Sequence, residues 1–114
     1  MTSIAGSFTV SANSAIARIT GSPLPVVGTI TMDFTSSSFS GEILLKKRRI
    51  NAASTATWKS CAYQTSDATT DVAAGTVITG DKTAYIRLDG EELGYISQNY
   101  TSGSILVEWT WSAG

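Results

Sequence analysis

The feature that most constrains the fold is a strict alternation of apolar and polar residues in several segments of the chain. The alternation is clearest over residues 26–34, 83–89 and 104–111. Successive side chains of a strand point to opposite faces, so a period of two predicts strands with one buried and one solvated face. No segment carries the repeat of three to four residues that an amphipathic helix requires. The chain is therefore predicted to be all-β.

Turn-forming residues divide the chain into eight or nine short strands. Pro23-Leu24-Pro25 breaks the chain because proline cannot donate to a ladder, and Thr35–Ser38 and Thr101–Gly103 are predicted to be a loop and a turn. Asp89-Gly90 predicts a type I′ hairpin turn, with Leu93–Gln98 as its return strand. This rhythm is typical of a single antiparallel β-sandwich, and a jelly-roll type is favoured. An immunoglobulin-like sandwich is the alternative, without the Cys…Trp…Cys spacing that would specify it.

The length of 114 residues predicts one domain spanning residues 1–114. Within it, residues 1–12 are either an extended arm or further strands of the sandwich. The start of the chain has neither the basic nor the apolar region of a signal peptide, so synthesis in the cytoplasm is expected. No run approaches the roughly 18 apolar residues of a membrane span. A formal net charge of −1 argues against nucleic acid and acidic membranes as partners.

Catalytic chemistry is not expected, because the chain contains no histidine. Ser-His-Asp and Cys-His arrangements, and the usual general base near neutral pH, are thereby excluded. Asp89-Gly90-Glu91-Glu92 is predicted to be a solvated hairpin tip, since the spaced acidic ligands of a calcium loop are missing. The single cysteine, Cys61, is predicted to be a buried and inert thiol. We therefore expect no enzyme, no catalytic residue, no cofactor and no metal ligand.

A run of four basic residues is the most unusual feature of the sequence. Lys46, Lys47, Arg48 and Arg49 hold half of the eight cations, between apolar residues on both sides. On a strand, alternate members of this run point to opposite faces, which indicates a strand end that projects beyond the core. Such charges also discourage unwanted strand pairing at an edge. The functional alternative is a partner-binding patch that contacts an acidic partner surface, with nucleic acid as the less favoured ligand.

The aromatic residues have two interpretations. Trp109 and Trp111 share a predicted face with Ile105 and Val107, which predicts that both rings are core residues. The alternative is a sugar-binding platform formed by exposed rings. Trp58 and the four tyrosines are the other candidates for such a platform.

The sequence resembles the small β-sandwich proteins of tailed bacteriophages that bind the outside of the head, called decoration or cement proteins. The resemblance covers roughly residues 39–107. It is carried by five segments: Phe39-Ser40-Gly41-Glu42-Ile43-Leu44-Leu45-Lys46-Lys47-Arg48, Thr57-Trp58-Lys59, Ala74-Gly75-Thr76-Val77-Ile78, Tyr85-Ile86-Arg87-Leu88 and Thr101-Ser102-Gly103-Ser104-Ile105-Leu106-Val107.

The resemblance implies a non-enzymatic virion protein on the capsid surface, made in the host cytoplasm. Its implied partners are the major capsid protein and further copies of itself, in a homotrimer. Two other functions stay open from the sequence. One is a carbohydrate- or receptor-binding module of a phage fibre, and the other is a different tail or connector component of the virion.

Overall fold

The computed structural model describes residues 3–19, 27–49, 57–65 and 71–112. Of these residues, 80% lie in strands and none lies in a helix, so the predicted all-β class is confirmed. The described residues contain no helix long and apolar enough to cross a membrane. Pro23-Leu24-Pro25, which was predicted to break the chain, lies outside them. In chain order the strands are β1 (Ser3–Val10), β2 (Ser14–Arg18), β3 (Val27–Arg49), β4 (Lys59–Ser60), β5 (Tyr63–Gln64), β6 (Asp71–Val72), β7 (Lys82–Asp89) and β8 (Glu91–Ser112).

Two long strands, β3 and β8, organise the whole sheet. They are antiparallel neighbours along almost their full length, from the pair Thr29–Ser112 to the pair Arg49–Glu91. The complete strand order is β1-β8-β3-β7-β5-β6, with β2 paired to the first half of β8 and β4 to the second half of β3. All of these pairings are antiparallel, and they join the eight strands into one continuous sheet.

The two long strands bend together at one level, which folds the sheet into two layers. The register shifts between Ser37 and Glu42, and Ser38, Asn99 and Gly103 have positive φ there. A Cβ at Gly103 would lie 2.0 Å from the Ser38 carbonyl oxygen, so only glycine permits this approach. The predicted loop at 35–38 and turn at 101–103 are therefore bulged bends inside continuous strands, and the prediction of chain reversals there is wrong.

The layers pack face to face around a single apolar core. The first layer contains β1, β7, the first half of β3 and the second half of β8. It contributes Ile30, Met32, Ile105 and Val107, all with no exposed surface. The second layer contains β2, β4, the second half of β3 and the first half of β8, and its buried residues include Ile43, Leu45 and Leu93. This burial follows the predicted alternation, because each period-two segment puts its apolar face into the core.

The pairing corrects one prediction about chain connections and decides between the two alternatives for the N-terminal segment. Asp89-Gly90 does not join a hairpin, because β7 pairs with residues 27–34 of β3 whereas the start of β8 pairs with residues 42–49. The chain instead crosses between layers at Gly90, which has φ of 78°. At the N-terminus, residues 3–10 pair with β8 along their whole length, so this part of the 1–12 segment is a strand of the sheet and not a free arm.

Candidate partner-binding surface

The basic run ends β3 and lies directly opposite the acidic start of β8. The register places Arg48 opposite Glu92 and Arg49 opposite Glu91, while Lys46 and Lys47 oppose Gly94 and Leu93. Side chains of directly opposed residues share a face and lie about 5 Å apart at their Cβ atoms. Glu91 and Glu92 of the same chain therefore neutralise part of the positive charge of the run.

Glu92 is the centre of a buried charge cluster. Its side chain is only 6% exposed and accepts from Arg18 Nε at 2.9 Å through one oxygen and from Arg48 Nε through the other. The Arg48 side chain is 20% exposed, whereas that of Arg18 is 52% exposed. A buried carboxylate is tolerated only when such hydrogen-bonded partners offset its desolvation. The prediction of a solvated tip at residues 89–92 is thus wrong for Glu92.

Trp58 covers the outer side of this cluster. The Arg48 guanidinium carbon lies 4.5 Å from the centroid of the Trp58 ring, a cation–π contact. The ring also lies over Gly94, where a Cβ would be 3.0 Å from Trp58 Cζ3 and 2.8 Å from the Ala17 carbonyl oxygen. Glycine at this position lets the indole and β2 approach the backbone of β8 closely. Trp58 is therefore a half-buried cover on an arginine and not an open platform.

The four predicted contact residues differ in whether their charged groups already have partners within the protein. Lys46 Nζ donates to Ser60 Oγ at 3.1 Å, and Lys47 Nζ pairs with Glu91 Oε2 at 3.3 Å. Arg48 is held by Glu92 and Trp58. Arg49 is exposed and makes no ion pair with any described residue. Of the predicted patch, Arg49 is thus the member that is open to another molecule.

Lys59 joins Arg49 as a second exposed cation at this end. It pairs with Lys47 across β4 and β3, and it has no ion pair among the described residues. Six of the eight cations of the chain lie in this part of the sheet, against three acids among the residues that the structure describes: Arg18, Lys46, Lys47, Arg48, Arg49 and Lys59 lie near Asp89, Glu91 and Glu92. The surface, called the basic end below, therefore keeps an excess of three positive charges in a protein of net charge −1.

Sequence reasoning missed Arg18, Glu92 and Lys59 as members of this surface. The lengths of the Lys46–Arg49 and Glu91–Glu92 runs gave a signal, because opposed charge runs on two strands often mark a paired ladder. The predicted hairpin at Asp89-Gly90 paired β8 with β7 instead, and so concealed the partnership.

The predicted core aromatics lie as the alternation indicated. Trp111 is 3% exposed, and Trp109 is half-buried with its ring over Gly6, where a Cβ would lie 2.7 Å from Trp109 Cζ2. Cys61 is buried, as predicted, and burial raises the pKa of its thiol from 9.0 to about 11. Trp111 and Cys61 pack in the interior, and Trp109 packs against the margin of the core.

A separate groove of about 610 Å³ lies at the β5–β6–β7 side of the sheet. Half-buried Tyr85 lines it, together with the exposed polar residues Gln64, Asp71 and Arg87. The Gln64 amide donates to Asp71 Oδ1 at 3.2 Å. Arg87 makes no ion pair with a described residue, so its guanidinium is free to donate into the groove.

The geometry defines a class: an all-β protein built on one antiparallel sheet that is folded into two layers, with a basic end. The crystal structure of the SPBc2 prophage-derived protein YomS is similar in fold, with a TM-score of 0.60. The superposition covers 98% of this chain and 96% of that chain, at 8% sequence identity. No protein-family model and no curated protein sequence matches the chain.

Proposed function

We propose that this chain is a non-enzymatic structural protein of a tailed-bacteriophage particle that decorates the assembled head. The observation that carries the proposal is the fold similarity to a prophage-derived protein over 98% of the chain. The sequence resemblance of residues 39–107 to decoration and cement proteins supports the same role. The proposed partner is the major capsid protein, and the proposed location is the capsid surface of the virion.

The basic end is the surface proposed to contact the capsid. Its excess of positive charge favours an acidic patch on the capsid subunit, and the exposed Arg49 guanidinium suits bidentate pairing with a carboxylate. Exposed charges at a rim mainly steer encounter and respond to salt. Attachment is therefore expected to weaken as ionic strength rises.

Stabilisation of the head would follow from mass action. A ligand that binds the assembled lattice, and not its separate subunits, shifts the equilibrium towards the lattice. Self-association strengthens the effect, because a homotrimer of this chain would engage several capsid sites at once. No new chemistry at any residue is needed for this role.

The test is binding of the purified protein to heads of the encoding phage that lack it. We expect co-sedimentation with the heads and a higher temperature of head disruption. Arg49→Glu with Lys59→Glu should reduce occupancy at least tenfold at low salt. The control is Lys82→Glu, which also reverses a cation but lies at the opposite end of β7 from Asp89, paired with Phe34. Undiminished occupancy for the double variant would refute the contact, and no binding by the unmodified protein would refute the function.

The groove beside Tyr85 favours carbohydrate binding as a second candidate function. An aromatic ring provides an apolar face for a pyranose, and the Asp71, Gln64 and Arg87 side chains can hydrogen-bond its hydroxyl groups. The measurement is titration of the protein with purified cell-surface glycans of the host. Binding that Tyr85→Ala abolishes, while head attachment persists, would place this second activity in the groove.

A further inference from the structure

One edge of the sheet lacks the protection that the other edges have. β1 is eight residues long, pairs with β8 without any register shift and contains neither proline nor a charged side chain. By contrast, β4 and β6 are two residues long, and β2 contains a register shift and ends at Arg18. Short strands, bulges and charges are the means by which sheets avoid pairing with other chains. Only β1, among these edges of the described sheet, has none of them.

The outer side of β1 has no strand beside it in the described part of the chain. β1 contacts no strand there other than β8. In an antiparallel ladder, alternate residues of an edge strand direct their N–H and C=O groups away from the neighbour. About half of the peptide groups of β1 thus form a free row of donors and acceptors some 25 Å long.

The core is also open on this side of the molecule. β1 and β2 both flank β8 opposite β3, so they are the two edges of the same side of the sandwich. Half-buried apolar side chains of β1, of β8 and of the residue after β2 pack against the core without being enclosed by it: Ile4, Phe8, Ile19, Tyr95 and Trp109. The Phe8 and Tyr95 rings stack across the layers at a centroid distance of 4.7 Å and an interplanar angle of 11°. A strand added here would cover both the free row and these rings.

We propose that this surface, the β1 side, is where copies of the chain contact one another. The chemistry favours a second copy as the occupant. Residues 1–17 contain no charged side chain, so two β1 sides meet without like-charge repulsion and offer no charge pattern that selects a different protein. Two identical edge strands also complete each other's hydrogen bonds, with alternate apolar residues side by side. Such a contact between two identical edges has two-fold symmetry and gives a dimer, an alternative to the homotrimer proposed above, and it leaves the basic end free for the capsid.

The test compares two lysine pairs of equal charge and spacing. Ser7 and Thr9 are exposed on the outer face of β1, and Thr35 and Ser37 are exposed on the same face of β3, which β8 separates from β1, with Thr9, Leu106 and Thr35 in register. We expect light scattering to show an oligomer for the unmodified protein and for Thr35→Lys/Ser37→Lys. Ser7→Lys/Thr9→Lys should be a folded monomer, since like charges would face each other across the new ladder.

Hydrogen exchange supplies a second measurement that does not depend on variants. In the oligomer, amides of residues 3–10 should all exchange slowly, whereas in the monomeric variant about half should exchange rapidly. An oligomer that survives Ser7→Lys/Thr9→Lys, or an unmodified protein that is monomeric at every concentration, overturns the inference. Protection of β1 amides only on added heads would instead identify a capsid strand as the occupant. Oligomers that do not bind heads would refute the proposed function while leaving this inference intact.

Discussion

Removing Arg48 is the perturbation whose cost can be worked out most directly from the structure. Glu92 is 6% exposed and keeps two guanidinium partners, of which Arg48 is 20% and Arg18 52% exposed. Arg48→Met keeps most of the packing volume but leaves the buried carboxylate with only the half-exposed Arg18. Breaking a buried ion pair costs about 3–5 kcal/mol, and the residual Arg18 pair puts the expected loss near the lower limit, about 3 kcal/mol. Loss of the Trp58 contact adds about 0.5–1 kcal/mol.

The assay is urea unfolding followed by tryptophan fluorescence, with three variants compared to the unmodified protein. Arg18→Met should cost less than about 1 kcal/mol, because exposed pairs contribute little. Arg48→Met/Glu92→Met should lower the free energy of unfolding by less than Arg48→Met alone, because it removes the buried Glu92 carboxylate together with its partner. It also keeps the charge excess of the basic end, so head binding should persist. The reasoning fails if Arg18→Met costs as much as Arg48→Met, or if the double variant shows the sum of two independent losses.

Three further predictions concern packing and pH. Trp111→Ala should lower the free energy of unfolding by about 3–5 kcal/mol. Trp109→Ala should lower it by less, because Trp109 is half-buried. Equal losses for the two variants in denaturant titrations would contradict this prediction. Gly94→Ala should cost about 1–3 kcal/mol through overpacking against Ala17 and Trp58, whereas Gly80→Ala, with open space around the new methyl group, should be nearly neutral in the same titration. Since the pKa of Cys61 is raised to about 11, the unfolded thiol ionises first. The contribution of the buried Cys61 thiol to the free energy of unfolding is therefore complete below pH 9 and falls by about 2–3 kcal/mol as the pH rises to 11. Cys61→Ala should remove this part of the pH dependence.

The alternation of side chains predicted the faces of the strands well, because burial of one face acts locally and leaves a readable period. Ile30, Met32 and Phe34 are all buried, and so are Ile105 and Val107. Alternation over residues 56–63 predicts one strand with Lys59, Cys61 and Tyr63 on one face, and over the described residues 57–63 this prediction is wrong. This segment contains only β4 and the start of β5, and Lys59 is exposed although it shares its predicted face with the buried Cys61. An irregular backbone does not maintain a period of two.

Which strands are neighbours could not be read in the same way. Turn-forming residues at 35–38 and 101–103 predict chain reversals, but Ser38 and Gly103, with Asn99 nearby, only bend two strands that continue on both sides. Positive φ relieves the backbone at a bulge as well as at a hairpin, so the residues that mark the two are the same. The distinction depends on what lies opposite, which is tertiary information that a single strand does not carry.

Because a single strand does not show its neighbours, the sequence also could not show that only part of the basic run Lys46–Arg49 is open to a partner. Four consecutive cations suggest an open patch as long as no partner strand is known. Once Arg48 faces Glu92, Lys47 bonds Glu91 and Lys46 donates to Ser60, three of the four cations have a structural role. What is left for another molecule is Arg49, together with Lys59 from a strand that the motif did not include. A charge run in a β-protein should therefore be weighed against the charges of its ladder neighbours, because the excess that remains after pairing is what a partner meets.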